Sequence, residues 1–212
     1  MTLIRTLYRA LFLLFIVAGA MRSSAQTAMR SDVAVWAVGS SMEDTTLSDI
    51  EGESADIFFD EQPGLGISFN RYWTASFSTE LALTTFGADM SAETPLGEFE
   101  LGELDGRAVT AMAQWHFARD TRVSPYFGAG IAHVGGTFDP VDDEEEDLGT
   151  IDLESEITWT AVAGLDVNLT DRIALSFEAK HVAWSAVDEG GADEDAIDIN
   201  PTLYGAGVRF RF

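Results

Sequence analysis

The chain has 212 residues and a strongly acidic composition, with 36 Asp and Glu against 12 Lys and Arg and a formal net charge of −24 at pH 7. This balance excludes electrostatic attraction to nucleic acid as a main function, because such attraction needs basic side chains against phosphates. No cysteine is present, which excludes disulfides, thiol chemistry and cysteine-ligated zinc. We expect neither a cofactor nor a nucleic-acid partner.

The first 25 residues have the pattern of a secretory signal peptide. Arg5 and Arg9 precede an apolar run from Ala10 to Ala20, and small residues at Ser23 and Ala25 suit a signal peptidase. The run is too short for a membrane-spanning helix, which needs about 20 apolar residues. We predict a signal peptide over residues 1–25, cleavage after Ala25 and a single domain over residues 26–212.

Beyond the signal peptide, segments of about ten residues alternate apolar with small or polar side chains, as transmembrane strands do. The first, around Asp32 to Ser40, is the weakest, because Val33, Trp36 and Val38 do not alternate cleanly. Clearer alternation follows in residues 65–70, 75–83, 107–117, 125–132, 156–169, 173–180 and 204–212. The pattern predicts eight antiparallel strands.

The connections between these strands alternate in length and in charge. Short connections fall near residues 71–73, 118–124 and 170–172, and long ones run over Ser41–Pro63, Gly87–Gly106, Asp139–Glu156 and Ser185–Asp198. The long ones hold 30 of the 36 acidic residues and no Lys or Arg, whereas Arg71, Arg119, Arg122 and Arg172 lie in or beside the short ones. Short periplasmic turns and long external loops are typical of transmembrane barrels. The sequence therefore predicts a bacterial outer-membrane location.

The two faces of the predicted strands differ in polarity. The apolar face faces lipid in this interpretation, with an aromatic girdle of Trp115, Phe127, Trp159, Phe177, Tyr204 and Phe210. The other face lines the lumen with Ser76, Ser78, Glu80, Gln114, Asp166, Glu178, Lys180, Arg209 and Arg211. A lipocalin-like soluble barrel would point its apolar side chains inward, so this polarity favours a membrane barrel that contacts outer-membrane lipids.

The second half of the chain resembles the OmpW family of outer-membrane proteins. The resemblance rests on the order of residues 112–117 (MAQWHF), 125–131 (PYFGAGI), 163–167 (AGLDV), 199–201 (INP) and 205–212 (GAGVRFRF). It implies an eight-stranded barrel that passes small hydrophobic molecules through an apolar lumen. It also implies that Phe212 is an assembly signal for the barrel-assembly machinery, although Phe212 also completes the lipid-facing row.

The predicted lumen departs from that family pattern. Inward charges in so narrow a barrel should pair with one another, because unpaired buried charge is costly, and eight strands leave little more room than side chains need. Two functions therefore remain open. One is a narrow, porin-like passive conduit for small hydrophobic solutes, and the other is a non-conducting surface barrel whose acidic external loops bind cations or protect the envelope.

Enzymatic activity is not expected. His116 and Glu80 could be imagined as a base and its orienting group in a lipid-active enzyme, but no activated nucleophile is evident in the sequence. The acidic run from Asp142 to Asp147 lacks the interleaved glycines of a calcium loop, so diffuse divalent-cation bridging to lipid headgroups is the remaining metal hypothesis. Repulsion among these charges would be screened at high salt, where the Debye length is only a few ångströms. That predicts a halophilic adaptation.

Overall fold

The structure, a computed structural model, describes residues 31–42, 45–50, 53–94, 97–119, 121–141, 149–186 and 197–212. The predicted signal peptide lies outside these residues. Within them, no helix is long and apolar enough to cross a membrane. The strands are β1 (Ser31–Ser41), β2 (Thr45–Ile50), β3 (Glu53–Gln62), β4 (Gly64–Tyr72), β5 (Phe77–Thr94), β6 (Gly97–His116), β7 (Val123–Pro140), β8 (Ile151–Asn168), β9 (Ile173–Val182), β10 (Ser185–Ala186), β11 (Ile197–Asp198) and β12 (Thr202–Arg211).

Eight of these strands close into an antiparallel ring. Strands β4 to β9 pair in chain order, β9 pairs with β12, and β1 pairs with both β12 and β4. At the closing seam the backbones of Ser31 and Phe212 exchange hydrogen bonds of 3.2 and 2.9 Å. Closure removes the open edges that a bilayer does not tolerate. The predicted closed barrel of eight antiparallel strands is thus confirmed.

Three short turns connect the strands at the periplasmic end. In two of them a threonine hydroxyl accepts the backbone N–H groups of the second and third residues that follow: Thr74 does so at 3.2 and 2.9 Å, and Thr170 at 3.2 and 3.0 Å. The side chain of Asn168 donates to the carbonyl oxygens of Arg119 and Thr121, and so ties two of the turns together. These turns coincide with the short connections of the sequence pattern.

The opposite, extracellular end is taller on one side. Strands β5 to β8 have 18 to 20 residues, whereas β1, β4, β9 and β12 have 9 to 11. A transmembrane strand needs about 9–11 residues, so about half of each tall strand projects beyond the bilayer. The β2–β3 hairpin joins this extension, because β3 pairs with the upper part of β5.

The extension corrects the predicted loop over Gly87–Gly106. The β5–β6 ladder runs through almost all of that range, from Gly87 opposite Asp105 to Thr94 opposite Gly97. Strand also covers parts of the other long connections, as β2 and β3, as the start of β8, and as β10 and β11. The loop prediction was wrong because the outer face of the extension meets water instead of lipid, so acidic residues replace the outer apolar row there.

Candidate functional site

The barrel interior is divided into an apolar extracellular half and a polar periplasmic half. The apolar half is a buried cluster from all sides of the ring. Its members are Ala34, Trp36, Val38, Phe86, Leu104, Ala108, Ala132, Val134, Val182, Trp184, Ile199 and Leu203. Below it, the inward faces of the strands carry buried polar and charged side chains. We call the charged ones the ionic network: Asp32, Glu80, Asp166, Glu178, Lys180, Arg209 and Arg211.

Arg209 is the centre of the ionic network. Its guanidinium lies 2.7 Å from Asp32 Oδ1, 3.3 Å from Asp166 Oδ1 and 3.8 Å from Glu80 Oε2. The side chain is completely buried, and its Nε also donates to Ser176 Oγ at 3.2 Å. Asp166 binds a second cation as well, since Arg211 lies 3.2 Å from its other oxygen. These ion pairs offset the cost of burying the guanidinium, although its Nη2 and Asp32 Oδ2 have no hydrogen-bond partner among the described residues.

Lys180 holds the other part of the network. Its Nζ lies 3.1 Å from Glu178 and 4.0 Å from Glu80. Glu178 also accepts the Tyr126 hydroxyl at 3.0 Å. Glu80 is therefore placed between Lys180 and Arg209, at the outer limit of ion pairing with each, and neither of its oxygens has a hydrogen-bond donor. The network contains four carboxylates and three cations, so one carboxylate is unmatched in charge.

Neutral polar groups complete the periplasmic half. The Asn70 amide donates to Gln114 Oε1 at 2.9 Å, and Ser78 Oγ lies 2.9 Å from His116 Nε2. The His116 ring packs between Tyr72 and Tyr126, with ring centroids 5.0 and 5.2 Å away. Arg119, from the turn below, lies 3.5 Å over the Tyr72 ring. The pairing of His116 with Glu80 that a lipid-active enzyme would need is not formed, because the imidazole bonds Ser78 and the carboxylate faces Lys180 and Arg209.

The periplasmic half is sealed against water. Asp32, Asp166, His116 and Arg209 are all 0% exposed, and Arg211 reaches only 6%. Side chains rather than solvent therefore fill this part of the barrel, as the narrow eight-stranded geometry requires. The arrangement can hold charge in place and block solutes, but it offers them no aqueous path among the described residues.

The apolar half contains two tryptophans with different attachments. Trp36 belongs to the wall strand β1, and its indole N–H donates to Ser68 Oγ at 3.3 Å. Trp184 follows β9 and packs edge-on against Phe86, with centroids 6.1 Å apart. It is 1% exposed, and its indole N–H has no hydrogen-bond partner. Backbone bonds of 2.9 and 3.0 Å from the N–H groups of Ile199 and Asn200 to the Trp184 carbonyl hold this segment over the barrel mouth.

The apolar lining continues up the inner face of the extension. Phe59 and Met90 pack against the buried cluster. Above them Ile57, Ala92 and Phe99 are directly opposite one another on three adjacent strands and so share a face. We call this surface, with Phe59 and Met90, the apolar track.

A one-residue irregularity in β6 determines the upper end of the apolar track. Met90 pairs with Gly102 and Ser91 pairs with Glu100, so Leu101 has no partner on β5. One extra residue moves every following side chain to the other face. Phe99 therefore faces inward and Glu100 outward. Gly102 suits this bulge, because its φ of +148° is unfavourable for other residues and a Cβ would lie 2.2 Å from the Asp139 carbonyl oxygen.

The structure places most predicted lumen residues inside the barrel. Ser78, Glu80, Gln114, Asp166, Lys180, Arg209 and Arg211 are buried there, together with the nearly buried side chain of Glu178. Ser76 differs, because it lies in the turn before β5 and is half-buried. The predicted girdle residues are all exposed on the outer face, as is Phe212: Trp115, Phe127, Trp159, Phe177, Tyr204 and Phe210.

The expectation of a uniformly polar lumen is wrong for the extracellular half. Sequence reasoning missed the inward position of Trp36 and Trp184, and it did not assign Asp32 to the ionic network. Trp36 follows Asp32 and Ala34 at a spacing of two along β1, and these three residues share the inner face. That spacing was available in the sequence, but it conflicted with the assumption that inward residues are polar.

Comparisons with known proteins agree with this architecture. A family model described as OmpW family matches residues 24–212. The crystal structure of the outer membrane protein OprG from Pseudomonas aeruginosa has a TM-score of 0.68 at 14% identity, over 86% of this chain and 96% of that one. The solid-state NMR structure of AlkL in lipid bilayers has a TM-score of 0.62 at 19% identity, over 90% of this chain and 94% of that one. Neisserial surface protein A follows, with a TM-score of 0.54 at 15% identity, over 86% and 96% of the two chains. No curated protein matches by sequence.

Proposed function

The chain belongs to the OmpW family and is a β-barrel of the bacterial outer membrane, and from this we propose that it is a passive conduit for small apolar molecules. In this proposal a solute enters along the apolar track, occupies the apolar half of the interior and leaves sideways into the bilayer. The observation that carries the proposal is the division of the interior into an apolar half, open toward the track, and a sealed ionic half.

The apolar half offers what an apolar solute needs. Ile57, Phe59, Met90 and Phe99 extend the lining from the buried cluster to the far end of the extension. Apolar surface removed from water at each step stabilises a bound apolar molecule by roughly 25 cal/mol per Å². A polar solute gains little from such a surface.

The ionic network opposes an exit into the periplasm. A solute that moved past Arg209 would separate it from Asp32 and Asp166, and leaving a buried charge without its partner costs several kcal/mol. An apolar molecule offers no hydrogen bonds in return. A sideways exit through the wall above the network avoids this cost, because the solute passes directly from apolar side chains to lipid.

The wall is interrupted beside the apolar half, where β3 gives way to β4. Ladder pairing with β5 stops at Gln62 opposite Gly87 and resumes at Gly66 opposite Thr84. Pro63 has no N–H to donate, and Leu65 and Thr85 are joined through the threonine hydroxyl, which accepts from the Leu65 N–H at 3.1 Å and donates to the Leu65 carbonyl oxygen at 3.3 Å. Phe86 lies inside this seam and Leu65 outside it, 69% exposed. Fewer backbone bonds join the wall here, so it opens at lower cost.

In this proposal the described conformation is the closed form of the conduit. Trp184 and Ile199 occupy the mouth of the apolar half and are buried there. A solute must displace them or pack beside them. The unpartnered Trp184 indole N–H lowers the cost of displacement, because it regains a hydrogen bond when it reaches water.

The test measures the transfer of the apolar probe N-phenyl-1-naphthylamine, detected by its fluorescence, into vesicles with lipopolysaccharide in the outer leaflet. Wild-type barrels should accelerate its entry over protein-free vesicles and should not admit arabinose. Phe59→Glu, on the track, should abolish the acceleration. Phe58→Glu is the matched control, because Phe58 is the neighbouring residue on the outer face, and it should retain the wild-type rate. Equal rates for wild-type and protein-free vesicles would refute the conduit.

A second function is favoured by a separate observation on the outer face. Asp60, Asp89, Glu103 and Asp139 are directly opposite one another on four adjacent strands. Like charges so placed repel each other unless cations are near. A non-conducting barrel whose acidic extension attracts divalent cations would account for this row. This second function predicts that magnesium raises the free energy of unfolding and that the barrel does not transfer the apolar probe.

A further inference from the structure

Arg107 lies on the outer surface of β6, near the extracellular limit of the lipid-facing band. It is exposed, and its register partners are Thr85 on β5 and Gly135 on β7. Gly135 has no side chain, and Ser155 of β8 packs where its Cβ would be. Arg107 lies outside the lumen, and its partner Thr85 also borders the seam of the proposed conduit.

The residues above and below Arg107 define its height. Toward the periplasm, the next outward residue on β6 is Val109, which pairs with Leu83 and His133. Beyond it the outward residues include Leu81 and Ile131, which belong to the apolar band that faces lipid tails. Toward the exterior, the next outward residue is Asp105, which begins the acidic surface. Arg107 thus lies where apolar side chains give way to charge, which is the level of lipid headgroups.

Arg107 is also chemically isolated. It has no carboxylate within ion-pairing distance among the described residues, although acidic side chains dominate this end of the barrel. The other described cations lie elsewhere. Lys180, Arg209 and Arg211 are in the interior, and the remaining arginines are in or beside the periplasmic turns: Arg71, Arg119, Arg122 and Arg172. An exposed guanidinium at headgroup height, without a carboxylate partner among the described residues, is available to an anion from outside the protein.

We propose that Arg107 binds a phosphate group of an outer-leaflet lipid, with His133 on the neighbouring strand as a second contact. A guanidinium presents paired N–H donors that match two phosphate oxygens, and its delocalised charge suits the partly dry headgroup region. His133 lies on the same outward face, one residue pair closer to the bilayer centre. The contact fixes the height of the barrel and holds an anionic leaflet next to an extension that would otherwise repel it.

The experiment compares the full barrel in asymmetric vesicles that carry either bisphosphorylated or dephosphorylated lipid A only in the leaflet at the extracellular end. Retention of lipid A by the purified barrel is measured together with the midpoint of heat unfolding. Wild type should retain the phosphorylated lipid preferentially, and R107Q should weaken that preference by about fivefold, the effect expected for one basic residue near an anionic surface. H133Q should reduce it less. R122Q is the matched control, because Arg122 is exposed at the periplasmic end, and it should keep the wild-type preference.

Two results would overturn the assignment. One is an R107Q variant that prefers phosphorylated lipid A as strongly as wild type does, and the other is an R122Q variant that loses the preference equally. A third arm adds inorganic phosphate to barrels in dephosphorylated lipid. No stabilisation is expected there, and stabilisation that depends on Arg107 would assign the site to the free anion instead of the lipid. Arg107→Lys, which keeps the charge without the paired donors, should retain part of the preference and guards against a folding defect in R107Q.

Discussion

Replacing a carboxylate by its amide should affect the stability of the barrel differently at two positions of the ionic network. Asp32 and Glu80 are both buried, and both face Arg209. Asp32 makes a direct bond of 2.7 Å to the guanidinium, whereas Glu80 approaches its two cations only to 3.8 and 4.0 Å and has no donor on either oxygen. Because four carboxylates face three cations, replacing Glu80 by glutamine would balance the network, whereas replacing Asp32 by asparagine would remove its shortest bond.

The expected magnitudes follow from the cost of breaking a buried ion pair. Asp32→Asn should lower the free energy of unfolding by about 3–5 kcal/mol, since it leaves Arg209 with weaker compensation. Glu80→Gln should change it by less than about 1 kcal/mol, or stabilise the barrel, because the burial cost of an unmatched charge disappears. The difference between these variants, at least about 2 kcal/mol, is the quantity to measure.

Urea unfolding of the barrel in phospholipid vesicles, followed by tryptophan fluorescence, would give both values by linear extrapolation. Equal slopes against urea would show that the variants expose similar surface, so that their midpoints can be compared. Equal destabilisation by the two substitutions would refute the view that Glu80 is the unmatched carboxylate. A loss below about 1 kcal/mol for Asp32→Asn would refute the role of Arg209 as the centre of the network.

Three further outcomes are expected. Trp184→Ala should speed probe transfer. It should lower the free energy of unfolding in urea by no more than about 3 kcal/mol, because it also removes an indole N–H that has no hydrogen-bond partner. Slower transfer would contradict the position of Trp184 at the mouth. Wild-type stability should rise between dilute buffer and about 1 M NaCl, where repulsion is screened. Asp89→Asn, in the middle of the acidic row, should reduce that rise, and an unchanged salt response would exclude the row as its source. Phe212→Ser should slow assembly into the outer membrane of living cells but leave the rate of refolding in vesicles close to wild type. If the substitution slows both processes, Phe212 contributes through packing alone.

The outer face of the barrel could be predicted from the sequence because lipid imposes a simple rule on it. Ile157 and Trp159 on β8, and Leu175 and Phe177 on β9, each recur at a spacing of two and are exposed in the structure. The strand count and the positions of the short turns follow from the same alternation. Strand register is strongly fixed where one face of a sheet is apolar. Alternation that repeats along the whole chain therefore predicts where the strands lie and which side chains face lipid.

The interior could be predicted only in part, because its partners come from distant strands. Arg209 and Asp32 are separated by 177 residues, and no local pattern indicates which carboxylate a given arginine meets. The apolar half was missed for a different reason. Trp36 and Val38 face a lumen that is apolar at their height, so residues on both sides of β1 are hydrophobic and the alternation is lost there. The extra residue at Leu101, which turns Phe99 inward, has no signature in composition.

Disulfide closure of the interrupted seam tests the central claim most directly, because the natural chain has no cysteine. Leu65→Cys with Thr85→Cys would bridge the seam, and Leu83→Cys with Val109→Cys would bridge an uninterrupted, directly opposed pair as the control. Transfer of N-phenyl-1-naphthylamine should fall to the protein-free rate when the seam is oxidised and recover on reduction, while the control pair keeps the wild-type rate in both states. Undiminished transfer through the oxidised seam would contradict a sideways exit at this point of the wall.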